Sequence, residues 1–170
     1  MIKPTLKDMH QVIAIAKQAG AVIMEIYQRD FSIEVKEDQS PLTEADLASH
    51  HLICDELNKL YPDIPILSEE SVDTFMLDDE NACYWCVDPL DGTKEFIKKN
   101  DEFTVNIALI QNQQAILGVI GVPAKNCIYA AVKGEGAFKK EGENELLPIK
   151  VKPQDLDRLI FAVSRSHLDE

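Results

Sequence analysis

The chain changes from helical to strand periodicity near residue 62, and this change limits the folds open to it. Apolar residues recur at helical spacing from Thr5 to about Arg29 and from Thr43 to about Leu60. Two long helices followed by a run of strands predict an α+β fold, with the helices packed on a sheet. The later strands have short linkers, so we expect an antiparallel sheet. The predicted strands are 64–67, 84–87, 103–111, 115–122, 127–133 and 136–140.

Local signals define the two helices more closely. Thr5 and Asp8, like Thr43 and Asp46, have the spacing of a capping box at a helix start. Gly20 lowers helix propensity in the middle of the first helix, which predicts a close approach by a neighbouring element. Between the helices we expect a short strand at 32–36 and a loop at 37–41. The predicted buried stripe of the second helix is Leu52, Ile53, Leu57 and Leu60.

The chain is strongly acidic, with 30 Asp and Glu, 17 Lys and Arg and a formal charge of −13. A nucleic acid polymer is excluded as a partner, because binding its phosphates requires a basic surface. Residues 63–102 hold 12 acidic and 3 basic side chains, which fits either a solvated face or a site that collects cations. We expect no transmembrane segment, because no apolar run approaches about 20 residues. Without a signal peptide at its start, we predict a cytoplasmic protein, with peripheral binding to the inner membrane left open.

Four cysteines raise the question of redox or zinc chemistry. Cys83 and Cys86 have CxxC spacing, whereas Cys54 and Cys127 stand alone. The CxxC pair falls on a predicted strand, where positions three apart point to opposite faces. No second CxxC and no spaced histidine pair completes a zinc site. We therefore predict reduced cysteines with a structural role.

The strongest chemical signal is the sequence VDPLDGT. A strand is predicted to end there, with Asp88 and Asp91 flanking a proline turn and a short helix opening at Gly92 and Thr93. The two carboxylates and the Leu90 carbonyl can converge on one cation, and such oxygen ligands suit Mg²⁺ or Mn²⁺. Backbone N–H groups at the helix start attract phosphate oxygens. The motif predicts a metal site beside an anion site, with a solvated acidic turn as the alternative.

Two more acidic positions could join this motif. Glu69 and Glu70 follow another apolar strand, so their carboxylates should lie at a comparable strand end. Alternatively, both side chains simply cap the start of a loop. Asp46 is explained as a helix cap if it is considered alone.

The order and spacing of these three acidic blocks resemble the inositol monophosphatase superfamily of metal-dependent, lithium-sensitive phosphatases. The resemblance runs from the first helix to the last residue and implies the N-terminal half of a layered αβαβα sugar-phosphatase fold. Finer features resemble the 3′(2′),5′-bisphosphate nucleotidase branch of that superfamily. These are DGTKEFI from Asp91, FTVNIALI from Phe103 and SRSH from Ser164.

The resemblance implies a set of metal ligands. Glu69, Asp88 and the Leu90 carbonyl would hold one Mg²⁺, and Asp88 and Asp91 would share a second. Two or three ions are implied, with Mn²⁺ as a substitute and Li⁺ and Ca²⁺ as inhibitors. Two such ions, roughly 3.5–4 Å apart, can bind the attacking water and the leaving oxygen of an in-line displacement.

The resemblance also implies catalytic and substrate-binding residues. Asp46 and Thr93 would orient and deprotonate the attacking water, with Glu70 nearby. Ser164 and His167 match positions that contact the adenosine nucleotide, although a surface histidine is the alternative for His167. The implied substrate-binding positions are Glu69, Leu90, Asp91, Gly92, Thr93, Ser164 and His167.

The resulting expectation is a Mg²⁺-dependent phosphomonoesterase that converts 3′-phosphoadenosine 5′-phosphate, a small nucleotide bisphosphate, to AMP and phosphate. An inositol or sugar phosphate substrate, or a noncatalytic metal- or nucleotide-binding module, remains an alternative. A haloacid-dehalogenase phosphatase is excluded, because Pro89 stands where that chemistry needs a nucleophilic Asp. The sequence leaves the oligomeric state open.

The last residues predict that the chain is part of a longer protein. Residues 159–163 form an apolar strand-like run, and the sequence stops at Glu170. We expect an N-terminal α+β domain at 1–158, with 159–170 as the start of a truncated C-terminal α/β domain. The resemblance implies a further metal-binding Asp in a downstream Trp-Asp motif, whereas Trp85 is the sole tryptophan here. We therefore expect little or no turnover by the 170-residue chain alone.

Overall fold

The computed structural model describes residues 2–35, 41–74 and 83–152. Within these ranges, three helices accompany a two-stranded hairpin and a seven-stranded sheet, which confirms the predicted α+β fold. The helices are α1 (Leu6–Tyr27), α2 (Glu44–Leu60) and α3 (Thr93–Ile97), and 3₁₀ turns span Glu69–Thr74 and Pro123–Lys125. The hairpin is β1 (Ile33–Val35) and β2 (Pro41–Thr43). The sheet, in spatial order, is β3 (Ile66–Ser68), β4 (Cys83–Asp91), β5 (Thr104–Gln111), β6 (Gln114–Val122), β7 (Cys127–Val132), β8 (Gly136–Glu141) and β9 (Leu147–Ile149).

The sheet is mixed, so the prediction of an antiparallel sheet is wrong at one pair of strands. β3 runs parallel to β4, with Ser68 opposite Val87, whereas β4 to β9 are antiparallel. Short linkers favour antiparallel hairpins, but the 14 residues 69–82 separate β3 from β4. That connection is long enough for the crossover that a parallel pair requires. As a result, β3 and the acidic part of β4 point toward the same edge of the sheet.

The helices form as their local signals predict. Capping boxes at Thr5 with Asp8 and at Thr43 with Asp46 begin α1 and α2. α1 packs on α2 and on β5 to β7, and α2 packs on β4. An added Cβ on Gly20 would lie only 3.3 Å from Pro123 Cγ, so the predicted close approach is confirmed. The largest fully buried side chains include Trp85, Phe96, Phe103 and Met9.

Several element predictions need correction. Leu60 is 40% exposed because it ends α2, and Leu52 is only half-buried, whereas Ile53 and Leu57 are fully buried. Pro41, predicted as the last residue of a loop, begins β2 instead, and β9 was not predicted. Both missed strands are only three residues long, too short for a clear alternation.

β4 does not end at Val87 as predicted. It continues to Asp91 through a β-bulge, so Pro89 lies in a bulge and not in a turn. Proline has no N–H to donate to the strand ladder, and an interruption of the ladder is where a strand tolerates it. The sequence pattern alone does not distinguish such an interruption from a strand end.

The cysteine prediction is consistent with the structure. Cys83 and Cys86 lie on β4, and all four cysteines are free thiols. Burial raises the pKa of the Cys83 and Cys86 thiols, and the Asp88 charge adds to the effect at Cys86. A raised pKa reduces the thiolate fraction, so neither sulfur is activated as a nucleophile.

Some predictions fall on residues outside the described ranges. These are the strand at 159–163, the domain boundary after residue 158, and the site residues Ser164 and His167. In the described part of the chain, no helix is both long and apolar enough to cross a membrane.

Candidate metal and phosphate site

The parallel pairing of β3 with β4 brings two acidic segments together. Ser68, the last residue of β3, lies opposite Val87. Glu69, the first residue after β3, and Asp88, which follows Val87 in β4, therefore lie side by side at one edge of the sheet. Glu69 begins the 3₁₀ turn and is exposed, while Glu70 follows it and is half-buried. The expected convergence of these strand ends is thus present.

Asp88 is the most unusual carboxyl group of the site. Its Oδ1 atom is buried and has no hydrogen-bond partner among the described residues. Burial, followed by the negative charges of Glu69 and Asp91, raises the pKa of Asp88 to about 7. A buried carboxylate surrounded by like charges is unfavourable unless a cation or a proton compensates it. Asp88 is therefore suited to hold a divalent cation.

The β-bulge presents two carbonyl oxygens to side chains. Between Asp88 and Asp91, the residues Pro89 and Leu90 interrupt the register with β5. The Pro89 carbonyl accepts a hydrogen bond from Ser49 Oγ at 2.8 Å, and the Leu90 carbonyl accepts one from Thr93 Oγ1 at 3.3 Å. A carbonyl oxygen has two lone pairs, so Leu90 keeps the capacity to contact a cation.

Asp46 and Thr93, 47 residues apart, form a hydrogen-bonded pair. Thr93 Oγ1 donates to Asp46 Oδ1 at 3.1 Å. The other oxygen, Oδ2, accepts from the Thr43 backbone N–H at 2.8 Å and from Thr43 Oγ1 at 2.6 Å. Asp46 is only 2% exposed. It is therefore both a helix cap and part of the site.

Gly92 connects β4 to α3 in a conformation that suits glycine. Its φ is 97°, in the left-handed region, and an added Cβ would lie 2.8 Å from the Glu102 carbonyl oxygen. α3 begins immediately afterwards, and no described side chain caps its N-terminus. The first N–H groups of a helix have no acceptor within the helix. Those of α3 are consequently available beside the acidic bulge.

Asn106 is a site residue that sequence reasoning missed. Its Nδ2 donates to Asp91 Oδ2 at 3.1 Å, and Thr104 Oγ1 donates to its Oδ1 at 3.1 Å. Asn106 lies opposite Asp88 in the sheet register. The available signal was an amide side chain between the apolar residues Val105 and Ile107 of β5. Its partner is set by strand pairing, which the sequence does not display.

The acidic groups do not form a complete metal cage on their own. Within residues 2–35, 41–74 and 83–152, no three His, Cys, Asp or Glu side chains are grouped closely enough to hold an ion. A cation at Asp88 would therefore also draw on the Leu90 carbonyl and on water. Mg²⁺ commonly keeps several waters in protein sites.

Replacing Asp46 with alanine should destabilise the fold. The change removes the α2 capping box and the acceptor of three donors from Thr43 and Thr93, of which Thr93 Oγ1 can turn to the Leu90 carbonyl. We expect a loss of about 2–4 kcal/mol in the free energy of unfolding, from one cap and buried unpaired donors. Urea unfolding measures it, and Asp8→Ala at the exposed capping box of α1 is the control. An equal loss in both variants would contradict a special role for Asp46.

Comparison with known proteins places this geometry in a family. The sequence profile of the inositol monophosphatase family matches residues 6–170. The chain belongs to this family. The inositol monophosphatase fold is also shared by solved structures, including an IMPase from Thermotoga maritima at 32% identity and a TM-score of 0.67. That match covers 75% of this chain and 49% of the other.

Within the inositol monophosphatase family, the chain is similar to CysQ proteins. The 3′(2′),5′-bisphosphate nucleotidase CysQ of Shigella flexneri is 46% identical over 162 residues, which cover 94% of this chain and 64% of the relative. A crystal structure of CysQ from Bacteroides thetaiotaomicron is 38% identical with a TM-score of 0.64, covering 94% of this chain and 59% of the other. The resemblance stated from the sequence is thereby confirmed. The chain spans less than two thirds of the length of these relatives.

Proposed function

We propose that this protein is a Mg²⁺-dependent phosphomonoesterase that removes the 3′-phosphate of 3′-phosphoadenosine 5′-phosphate, giving AMP and phosphate. The observation that carries the proposal is the buried, unpartnered oxygen of Asp88, which lies at the β4 bulge beside the end of β3. Its position beside the Asp46–Thr93 pair supports hydrolysis rather than simple cation storage. The similarity to CysQ nucleotidases supports this substrate over other phosphate monoesters.

The proposed cation ligands lie just after β3 and in the β4 bulge. Glu69, Asp88 and the Leu90 carbonyl would hold one Mg²⁺, and Asp88 with Asp91 would contribute to a second. Bound Mg²⁺ would neutralise phosphate charge and lower the pKa of a coordinated water. The formal charge of −13 makes such neutralisation necessary for a polyanionic substrate. Asn106 would fix the orientation of Asp91 through its 3.1 Å hydrogen bond.

The hydrogen bonds of Thr93 indicate how its hydroxyl group would orient and deprotonate the attacking water. A hydroxyl group has a single proton to donate, and Thr93 directs it to Asp46 Oδ1 or to the Leu90 carbonyl. The remaining lone pairs of Thr93 Oγ1 can then accept a hydrogen bond from water. When that water is deprotonated, its proton would pass to Thr93 Oγ1 as the proton of Thr93 passes to Asp46 Oδ1. The acceptor oxygens of Asp46 would hold Thr93 in this orientation, with Glu70 as a neighbouring acid-base group.

The proposed phosphate contacts come from the start of α3. N–H groups around Gly92 and Thr93 would bind phosphate oxygens. Lys94, Lys98 and Lys99 are the three basic residues of the acidic segment 63–102. Ser164 and His167 are proposed to contact the nucleotide, and Glu69, Leu90 and Asp91 to face the substrate as well as the metal.

The proposal is tested by phosphate release from 3′-phosphoadenosine 5′-phosphate and from inositol 1-phosphate. The 170-residue chain is assayed alone and fused to the C-terminal third of the Shigella flexneri relative, because the chain spans 64% of that protein. We expect Mg²⁺-dependent release from the nucleotide by the fusion, with inhibition by Li⁺ and Ca²⁺ and partial replacement of Mg²⁺ by Mn²⁺, and little or no release by the chain alone. The intact relative is the positive control.

Thr93→Val is the decisive variant, and Cys86→Ser, at an exposed position of β4, is its control. We expect Thr93→Val to lower kcat at least about a hundredfold, as removal of a group that orients a reactant does, and Cys86→Ser to leave it unchanged. Faster release from inositol 1-phosphate would favour a sugar phosphatase. Cation binding without release from either substrate, in the chain and in the fusion, would favour a noncatalytic module and contradict the proposal.

A further inference from the structure

One face of α2 carries three polar residues that reach three different parts of the site. Asp46, Ser49 and His50 are spaced i, i+3 and i+4, so they lie on the same side of the helix. Asp46 bonds Thr93 at the start of α3, as described above. Ser49 and His50 take no part in the proposed reaction.

Ser49 contacts the β-bulge of β4. It is completely buried, and its Oγ donates to the Pro89 carbonyl at 2.8 Å. Because the bulge interrupts the ladder with β5, this carbonyl lies where strand pairing is irregular. The hydrogen bond therefore fixes the backbone between Asp88 and Leu90, the two residues proposed to hold a cation.

His50 contacts the end of β3. Its Nδ1 shares a 2.8 Å hydrogen bond with Ser68 Oγ, and Cys54 Sγ lies 3.7 Å from the same nitrogen. Ser68 is fully buried and immediately precedes Glu69. The β3–β4 ladder has three residue pairs and ends at Ser68. Glu69 follows Ser68 directly, so the position of Ser68 bears on the position of Glu69.

We propose that Ser49 and His50 are positioning residues that hold the β4 bulge and the end of β3 on one rigid helix. In this way they set the separation of Glu69 from Asp88 and the Leu90 carbonyl. The inference rests on the proposed function, because it assumes that these groups share a cation. Neither Ser49 nor His50 contacts the cation or the substrate in this scheme. A rigid helix suits this role better than a loop, because ligands must be held within a narrow range of positions.

The test is a titration of the 170-residue chain with Mn²⁺, in which electron paramagnetic resonance measures the concentration of the free ion. Ser49→Ala and His50→Ala should each weaken binding by about 10- to 100-fold, the range found when supporting partners of metal ligands are removed. His50→Asn places an amide nitrogen near the position of Nδ1 and should recover most of the lost affinity. Ser32→Ala and His10→Asn are matched controls, because both residues are exposed and distant in sequence from the site.

A double-mutant cycle separates positioning from general destabilisation. His50→Ala and Ser68→Ala should each weaken Mn²⁺ binding, and the double variant should be no weaker than either one if both act through their shared hydrogen bond. Hydrogen exchange of the metal-free variants should increase at residues 66–68 and 86–91. Exchange in β6 and β7 should not change. A purely structural role would instead give additive losses and faster exchange throughout the sheet.

The outcomes distinguish the two proposals. If the wild-type chain binds no Mn²⁺, the proposed function fails at its first step. If the wild-type chain binds Mn²⁺ and the folded Ser49→Ala and His50→Ala variants bind it as tightly as the wild type does, the positioning role is wrong. Should His50→Ala fail to fold, Ser49→Ala decides the question, because loss of one buried hydroxyl leaves the helix intact. Unchanged affinity in that variant overturns the inference.

Discussion

Replacing Asp88 with asparagine is expected to stabilise the metal-free protein and to eliminate cation binding at the same site. Asp88 Oδ1 is buried without a partner, and Glu69 and Asp91 add negative charge around it. Asparagine has nearly the same shape and removes the charge, so the unfavourable electrostatic energy disappears. It also removes the anionic ligand, and Mn²⁺ affinity should fall by more than about a hundredfold, beyond the effect of losing a supporting partner.

The stabilisation by Asp88→Asn should depend on pH in a defined direction. The pKa of Asp88 is raised from 3.8 to about 7 in the folded protein. Between these values the folded wild type binds more protons than the unfolded chain, so its stability falls as the pH rises. The advantage of the variant should be small near pH 4, grow between pH 4 and pH 7, and level off above that.

Urea unfolding in the presence of a chelator, repeated from pH 4 to pH 8, measures this effect. Asp55→Asn is the matched control, because Asp55 is an exposed residue of α2. With saturating Mg²⁺ the order should reverse, since ligand binding stabilises only the protein that binds it. A variant less stable than the wild type at pH 8 without metal would refute the assignment of Asp88 as an electrostatically strained group.

Gly92→Ala is expected to be among the most destabilising single substitutions at the site. The residue has a φ of 97°, and an alanine Cβ would lie 2.8 Å from the Glu102 carbonyl oxygen, which belongs to the backbone and cannot move aside easily. We expect a loss of about 3–4 kcal/mol, from left-handed strain of 1–2 kcal/mol together with overpacking. α3 should begin irregularly, and the Thr93–Asp46 hydrogen bond should weaken with it.

Gly134→Ala provides a control with matched backbone strain. Gly134 has a φ of 89°, yet no atom lies within 4 Å of the position of an added Cβ. This variant should lose only the strain component, about 1–2 kcal/mol, so the difference between the two variants measures the steric contact. Thermal or urea unfolding of both proteins gives the comparison. Equal losses would show that the contact with Glu102 relaxes and that strain alone makes glycine favourable at position 92.

The features that could be predicted from sequence are those governed by residues close together in the chain. The capping boxes at Thr5 and Thr43 fix where α1 and α2 begin, because cap and partner are three residues apart. Asp88 and Asp91 are also three residues apart, so the sequence alone predicts that their carboxylates can share a cation, although it does not give the geometry of the site. The family resemblance rested on the same short blocks.

Other features depend on contacts between distant segments, and only the folded structure decided them. The parallel pairing of β3 with β4 contradicts the simple hairpin expectation, yet it is what brings Glu69 beside Asp88. Likewise, Asn106 reaches Asp91 only through the register of β4 with β5. Strand register is set by side-chain packing over a whole sheet, so it cannot be read from either strand in isolation. The amino-acid sequence therefore specified which groups carry the chemistry, and long-range packing specified which of them meet.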